Sequence, residues 1–226
     1  MECEFTSEHY KECLNLGKKL GFTFWTMHDY LKEKPEDKFI VMRHDVDLSL
    51  KHALKMAEIE NSLGVRSTYF IRATRFLNPF SGKNAEIIRK ISEMGHEIGL
   101  HYDSDVINAS DFKSVLLNLK KYLENATGKK VCGASLHKIK NSKGIKEIEK
   151  LNFVEDFLQE LDLEYDAYSD MFLKKMKYIS DSAYRWKEGC MCVHMKKENK
   201  LCILTHPIWW FSESTSLVSI MEELNE

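Results

Sequence analysis

Hydrophobic positions along this chain switch repeatedly between a helical and a strand period. Residues 7–20 carry Tyr10, Cys13, Leu14, Leu16, Gly17 and Leu20 at helical spacing, and Gly21 stops the run. A short aromatic run at 22–25 follows, then another turn or two of helix over 27–34 and a loop at Pro35-Glu36-Asp37. Residues 38–42 form the first apolar strand. A helix is expected over 49–63, with Ala53, Met56, Ala57, Ile59, Glu60 and Leu63 on one face and Gly64 at its end. The same unit then recurs: strand 67–71, loop 78–82, helix 84–94, strand 96–100, helix 110–125, strand 131–136. Farther on, 141–161 reads as an interrupted helix and 164–168 and 177–180 as short strands. Residues 189–195 and 200–205 read as a hairpin about the polar turn 196–199, and 215–224 as a closing helix. Strands alternating with helices predict an α/β fold with a mostly parallel sheet. Six to eight strands in one domain favour a closed or distorted barrel over an open sheet.

Composition narrows the function classes. The 226 residues carry 33 Lys+Arg against 35 Asp+Glu, so no net charge drives contact with nucleic acid or a membrane surface. No window approaches the ~18 apolar residues of a membrane span. The first residues, Met1-Glu2-Cys3-Glu4-Phe5, lack the basic and apolar regions of a signal peptide. The six cysteines fall mostly inside expected helices and strands, which points to reduced thiols and a cytoplasmic protein.

Chemistry gathers at strand ends, where α/β folds build their sites. Arg43-His44-Asp45-Val46-Asp47 follows the first strand, and Asp45 and Asp47 point the same way on extended backbone. Two such carboxylates repel unless a cation or a proton separates them. A metal held by one, with the other free as a base, resolves this; helix N-caps for 49–63 are the plain alternative. His101 lies just past a strand, and a helical turn after it would put Asp105 on its face. His96 opens that strand at the far end and reads as scaffold. His137 ends the fourth strand and could touch substrate, ligate metal or orient another group. His206, followed by Pro207, Trp209 and Trp210, suits a general acid beside an aromatic wall, unless the tryptophans are core. Cys190, Cys192 and His194 alternate along an expected strand with Cys202 opposite, a set that is either a tetrahedral zinc site or ordinary buried thiols.

Together these motifs resemble the polysaccharide deacetylase superfamily, the NodB-homology or carbohydrate esterase family 4 group, and within it a divergent branch of surface-polysaccharide biosynthesis. The resemblance covers residues 38–210, leaving 1–37 as an N-terminal helical extension of a single domain. It implies a distorted (β/α)7-type barrel. It implies a metal-dependent hydrolase that removes an acetyl or formyl group from the nitrogen of a sugar, a saccharide precursor or a nucleotide-linked sugar. The metal is one divalent ion, zinc ahead of cobalt, manganese and iron. By analogy Asp45 is the general base, Asp47 and His101 are ligands, and His206 is the general acid. Asp105 stands where the family has a second histidine, so the third ligand is Asp105, Asp103 or His137. Arg43, Asp181, Trp186 and Trp209 would line or support the site, Asp181 by orienting a catalytic group. The rival is a non-catalytic relative that keeps the fold and binds carbohydrate. For Asp45 and His206 to meet, the first and last strands must come together, as a closed or nearly closed barrel allows.

Overall fold

The computed structural model describes residues 3–74, 77–103, 112–137, 158–212 and 219. The helices expected over 141–161 and 215–224 fall outside these, apart from residues 158–161 and 219. Asp105 lies outside them too.

Among the described residues, eight strands form one sheet: β1 (Thr23–Trp25), β2 (Phe39–Val46), β3 (Thr68–Arg72), β4 (Glu97–Asp103), β5 (Gly133–His137), β6 (Tyr165–Asp166), β7 (Lys177–Ser180) and β8 (Lys200–Thr205). Their order is β6-β5-β4-β3-β2-β8-β7, and every pairing is parallel. β8 runs along one edge of β2, while β1 and β3 share the other, at its beginning and its end. The sheet curls into a half-barrel. Its two ends approach where Tyr168, just after β6, meets Tyr178 of β7 with ring centroids 6.4 Å apart. β2 and β8 are direct neighbours, so Asp45 and His206 meet through strand pairing and need no closure.

The described helices are α1 (Ser7–Lys19), α2 (Met27–Glu33), α3 (Leu50–Ser62), α4 (Gly82–Glu93), α5 (Phe112–Thr127), α6 (Asp170–Leu173), α7 (Met191–His194) and α8 (Pro207–Phe211). Thr6, Thr26, Ser49 and Ser81 cap the first four by accepting the backbone N–H three residues on. Ser49 therefore takes the capping role that was the plain alternative for Asp45 and Asp47, and neither aspartate caps this helix.

Alternation along β2 sorts its side chains. Phe39 and Val41 enter the barrel interior with Phe70, Cys132, Tyr165, Phe172 and Cys202. Ile40 and Met42 face outward onto Tyr10, Leu14, Met191 and Trp210. Gly99 and Gly133 keep the interior open to aromatic rings. A Cβ on Gly133 would sit 2.0 Å from the Tyr165 ring, and one on Gly99 2.5 Å from Phe70.

The hairpin expected over 189–205 does not form. β8 has both edges occupied by β2 and β7, which leaves no place for an antiparallel partner. Residues 191–194 instead make the helical turn α7, with Met191, His194 and Met195 buried and Val193 exposed, a spacing of three to four. His194 Nε2 lies 3.0 Å from the carbonyl oxygen of Glu188, and Cys202 sits in the barrel interior. The expected set is thus broken up: His194 and Cys202 go elsewhere, while Cys190 and Cys192 stay together.

Behind the sheet, Glu60 of α3 is fully buried. It accepts from Tyr10 Oη (2.6 Å), Tyr69 Oη (2.6 Å) and Ser67 Oγ (2.7 Å), and its Oε1 lies 2.9 Å from His44 Nε2. Burial alone would raise this carboxyl; His44 and the hydrogen bonds outweigh it and hold the pKa at about 2. Such a depressed pKa contributes stability above about 4.5 that is lost as pH falls toward 2. Glu60→Ala strands two tyrosines, a serine and an imidazole, and is expected to destabilise by roughly 3–5 kcal/mol, read from the denaturant midpoint. His96, the scaffold histidine, is buried beside Ser67 and reaches the Ala57 carbonyl oxygen through Nε2 at 3.3 Å.

Candidate active site at the strand ends

The register sets the site. Arg72 of β3 lies level with His101 of β4, and His101 with Ser135 of β5. Asp47 follows the last paired residue of β2 and reaches the same level, and His137 lies two residues beyond Ser135 on the same face. Asp47 Oδ1 is 3.2 Å from His101 Nε2 and 3.1 Å from His137 Nδ1, and the two ring nitrogens are 3.2 Å apart. This is a nearly equilateral triangle of three metal-competent atoms. At metal–ligand lengths of about 2.0–2.2 Å, ligand atoms are separated by about 2.8–3.1 Å in an octahedral site and about 3.3–3.6 Å in a tetrahedral one. The observed edges lie between the two, so the donors fit a divalent cation. His101 Nδ1–H donates to the Ser135 carbonyl oxygen at 2.8 Å, which aims Nε2 at the triangle, where its lone pair would serve a bound ion and its proton otherwise serves Asp47.

Asp45 lies beside this triangle, its Oδ2 3.9 Å from His101 Nε2. Arg43 Nη2 donates to both its oxygens at 3.0 and 3.1 Å, and Ser135 Oγ lies 3.3 Å from each. Arg43 is itself buried, bonded to Ser135 Oγ and the Ala167 carbonyl oxygen, with its guanidinium over the Tyr168 ring at 4.6 Å. Burial works to raise the Asp45 carboxyl, but Arg43 and two histidines outweigh it and hold it below its ordinary value. Asp47 is held well below the usual range, because hydrogen bonds from His101 and His137 overcome its burial. His101 shifts upward: burial disfavours its charge, and Asp45 and Asp47 more than restore it.

His206 stands on the other side as the N-cap residue of α8. Its Nε2 is 3.9 Å from Asp47 Oδ2. Its Nδ1 is 2.6 Å from Asp181 Oδ1, and its backbone N–H donates to Asp181 Oδ2 at 3.0 Å. Trp210 Nε1–H donates to the same Oδ2 at 2.9 Å, so Asp181 is fully buried and fixed from three directions. Burial lowers the His206 pKa, Asp181 raises it further, and the result is about 9.

Of the expected residues, Arg43, Asp45, Asp47, His101, His137, Asp181 and His206 therefore converge. Of the three candidates for the third ligand, His137 completes the donor triangle among the described residues, and Asp105 lies outside them. Asp103, another candidate, is engaged by Arg72 through Nε at 3.1 Å and through Nη2. Trp209 and Trp210 are both buried in the outer core, so neither presents an open wall to a ligand. Trp186 packs on Phe5 and Trp210. It also lines a cavity of about 390 Å³ with Tyr168, Tyr178, Ser180 and Ser182, which adjoins the site because Tyr168 covers Arg43 and the two serines flank Asp181. A second cavity of similar size lies at the opposite strand ends, against Glu97 and Cys132, away from these groups.

Arg72 and Ser135 escaped the sequence reading. Arg72 contacts Asp47 Oδ1 at 3.4 Å and Ser135 bonds Arg43 and Asp45. The strand-end rule reaches Arg72 once β3 is extended by one residue. Ser135 is recoverable from its two-residue offset to His137.

No family model and no curated protein matches this sequence. Among solved structures, the fold is similar to the catalytic domain of a peptidoglycan N-acetylglucosamine deacetylase from Eubacterium rectale, with a TM-score of 0.54, 12% identity and 84% of each chain covered. It is also similar to a family 4 carbohydrate esterase from Bacillus anthracis, with a TM-score of 0.50, 13% identity, and 93% of this chain and 84% of that one covered. A family 4 pseudoenzyme from Bacillus anthracis aligns at a TM-score of 0.47 and 14% identity over 84% of this chain, which spans only 62% of that protein's length. At these identities the likeness is one of architecture: the chain has the fold of the carbohydrate esterase family 4 polysaccharide deacetylases.

Proposed function

We propose that this chain is a metal-dependent member of that deacetylase superfamily, hydrolysing an N-acetyl or N-formyl group on a sugar or saccharide precursor, nucleotide-linked sugars included. One observation carries the reading: Asp47, His101 and His137 converge between an arginine-held carboxylate and a histidine held by a buried aspartate. Asp47, His101 and His137 would hold the divalent ion, zinc ahead of cobalt, manganese and iron. When bound, such an ion supplies positive charge that acidifies water and polarises an acyl carbonyl.

The chain's own groups account for both proton transfers. Asp45 is ionised at neutral pH and accepts a proton from the attacking water as its oxygen bonds to the acyl carbon. Arg43 and Ser135 keep that carboxylate oriented. His206, charged at neutral pH, donates its Nε2 proton to the sugar nitrogen as the C–N bond breaks. The products are the free amine and the carboxylic acid, and both residues are reset when the Asp45 proton passes on through solvent to His206. The cavity beside Tyr168 and Trp186 offers ring faces for a saccharide. The reduced cysteines expected from the sequence fit a cytoplasmic precursor as substrate.

The test is a screen of N-acetyl and N-formyl sugars and nucleotide-sugars, with protein loaded with each candidate metal. Wild type is expected to release acetate or formate, and Asp45→Asn to do so about 10²-fold more slowly. Equal rates would remove Asp45 from the mechanism. Metal binding without turnover on any substrate would favour a carbohydrate-binding relative.

A further inference from the structure

A second donor cluster lies outside the strand-end site, where the N-terminal segment meets α7. We propose that Cys3, His9, Cys190 and Cys192 form a structural zinc site joining the two. Their ligand atoms all lie within 4.8 Å of one another. Cys3 Sγ and Cys192 Sγ are 3.6 Å apart, and His9 Nε2 is 3.4 Å from Cys190 Sγ. A tetrahedral centre with zinc–sulfur bonds of about 2.3 Å and zinc–nitrogen bonds of about 2.0–2.1 Å separates two sulfurs by about 3.8 Å and sulfur from nitrogen by about 3.5 Å. The two contacts match these edges to within a few tenths of an ångström.

The surroundings suit zinc. His9 Nδ1 lies 3.3 Å from Glu12 Oε2, a carboxylate that fixes the ring proton on Nδ1 and turns the Nε2 lone pair toward the thiols. Cys13 Sγ is 3.5 Å from His9 Nε2 and within hydrogen-bonding reach of Cys190, where it would donate to the ligating sulfur. Thiols that merely fill a core are fully enclosed apolar groups. Cys3 and Cys192 are only half-buried, yet they meet across 189 residues of sequence. The geometry also gives the site work to do. His9 stacks on Trp210, whose indole N–H holds Asp181, so the zinc would brace the outer side of the aspartate that carries His206.

The experiment uses the full chain in a background that lacks the strand-end donors, Asp47→Ala with His101→Ala, so that the two sites are counted separately. That protein is expected to retain about one zinc per chain, and to lose it on Cys192→Ser and on Cys3→Ser but not on Cys13→Ala. Cobalt substitution of the wild type is expected to give the intense near-ultraviolet sulfur-to-cobalt absorption of a thiolate site, which the oxygen and nitrogen donors of the strand ends cannot produce. Folded protein with no zinc in the background and no such absorption in the wild type would overturn the proposal. So would a Cys3–Cys192 disulfide in protein purified with zinc and without reductant, or zinc that depends on Cys13 and not on Cys3.

Discussion

Asp47→Ala is expected to remove about one divalent metal per chain and to lower deacylation at least about 10³-fold. Asp47 is where four elements converge: His101 from β4, His137 from β5, Arg72 from β3 and His206 after β8 all come within 4 Å of its carboxylate. Without it, two imidazoles remain as the only donors of the triangle, and nearby positive charge is left uncompensated. The carboxylate's low pKa carries the same information. A depressed pKa contributes stability above the unfolded value near 4, and that stability is lost as pH falls further. Inductively coupled plasma analysis and turnover, measured on the same preparation, check the prediction. His137→Ala should have the same effect on metal content, and Asp105→Ala should not. The reverse pair of outcomes would return the third ligand to Asp105. Unchanged metal at the strand ends in Asp47→Ala would remove the triangle from the mechanism.

How much of this was legible in the sequence differs by element. The repeating strand–helix unit gave the parallel sheet because a parallel strand needs a crossover, and a crossover helix announces itself by its period. Hydropathy alone ends β2 and β4 too early, at the first charged or titratable residues, whereas the strands run on to Val46 and Asp103. Arg43, Asp45 and His101 instead lie within strands and are buried, since Arg43 and Asp45 hold each other and all three are satisfied by Ser135, on β5 and far along the chain. Such pairing across distant segments leaves no local trace. The misplaced hairpin has the same origin. Residues 189–195 are compatible with a strand locally, and only the occupied edges of β8 exclude it. The cysteine set failed for that reason as well: the true neighbours of Cys190 and Cys192 are Cys3 and His9, which lie at the other end of the chain.

Asp181→Asn is expected to slow deacylation by about 10³–10⁴-fold, the scale seen when a carboxylate that fixes a catalytic histidine becomes an amide. The His206 carboxylate partner sits at 2.6 Å, and it is the main opponent of a burial that otherwise favours the neutral ring. An amide NH2 turned toward Nδ1 holds that nitrogen as an acceptor and keeps the ring neutral, with its proton on Nε2, a far weaker acid than imidazolium. The pH profile separates this from a loss of packing. In wild type the acid must be protonated, so the rate falls as pH rises through about 9. In Asp181→Asn that limb moves down, to or below the ordinary histidine value of about 6.5. Stability follows the same sign: a raised histidine pKa contributes stability that is full below about 6.5 and lost as pH rises through 9. The variant should therefore differ from wild type in thermal midpoint at pH 6 and converge with it above pH 9. Removing the other tie, by Trp210→Phe, deletes one donor to Asp181 and keeps its charge, so it should lower the rate while leaving the alkaline limb near 9. An Asp181→Asn limb that stays at 9 would mean that another group sets it, and that His206 is not the acid.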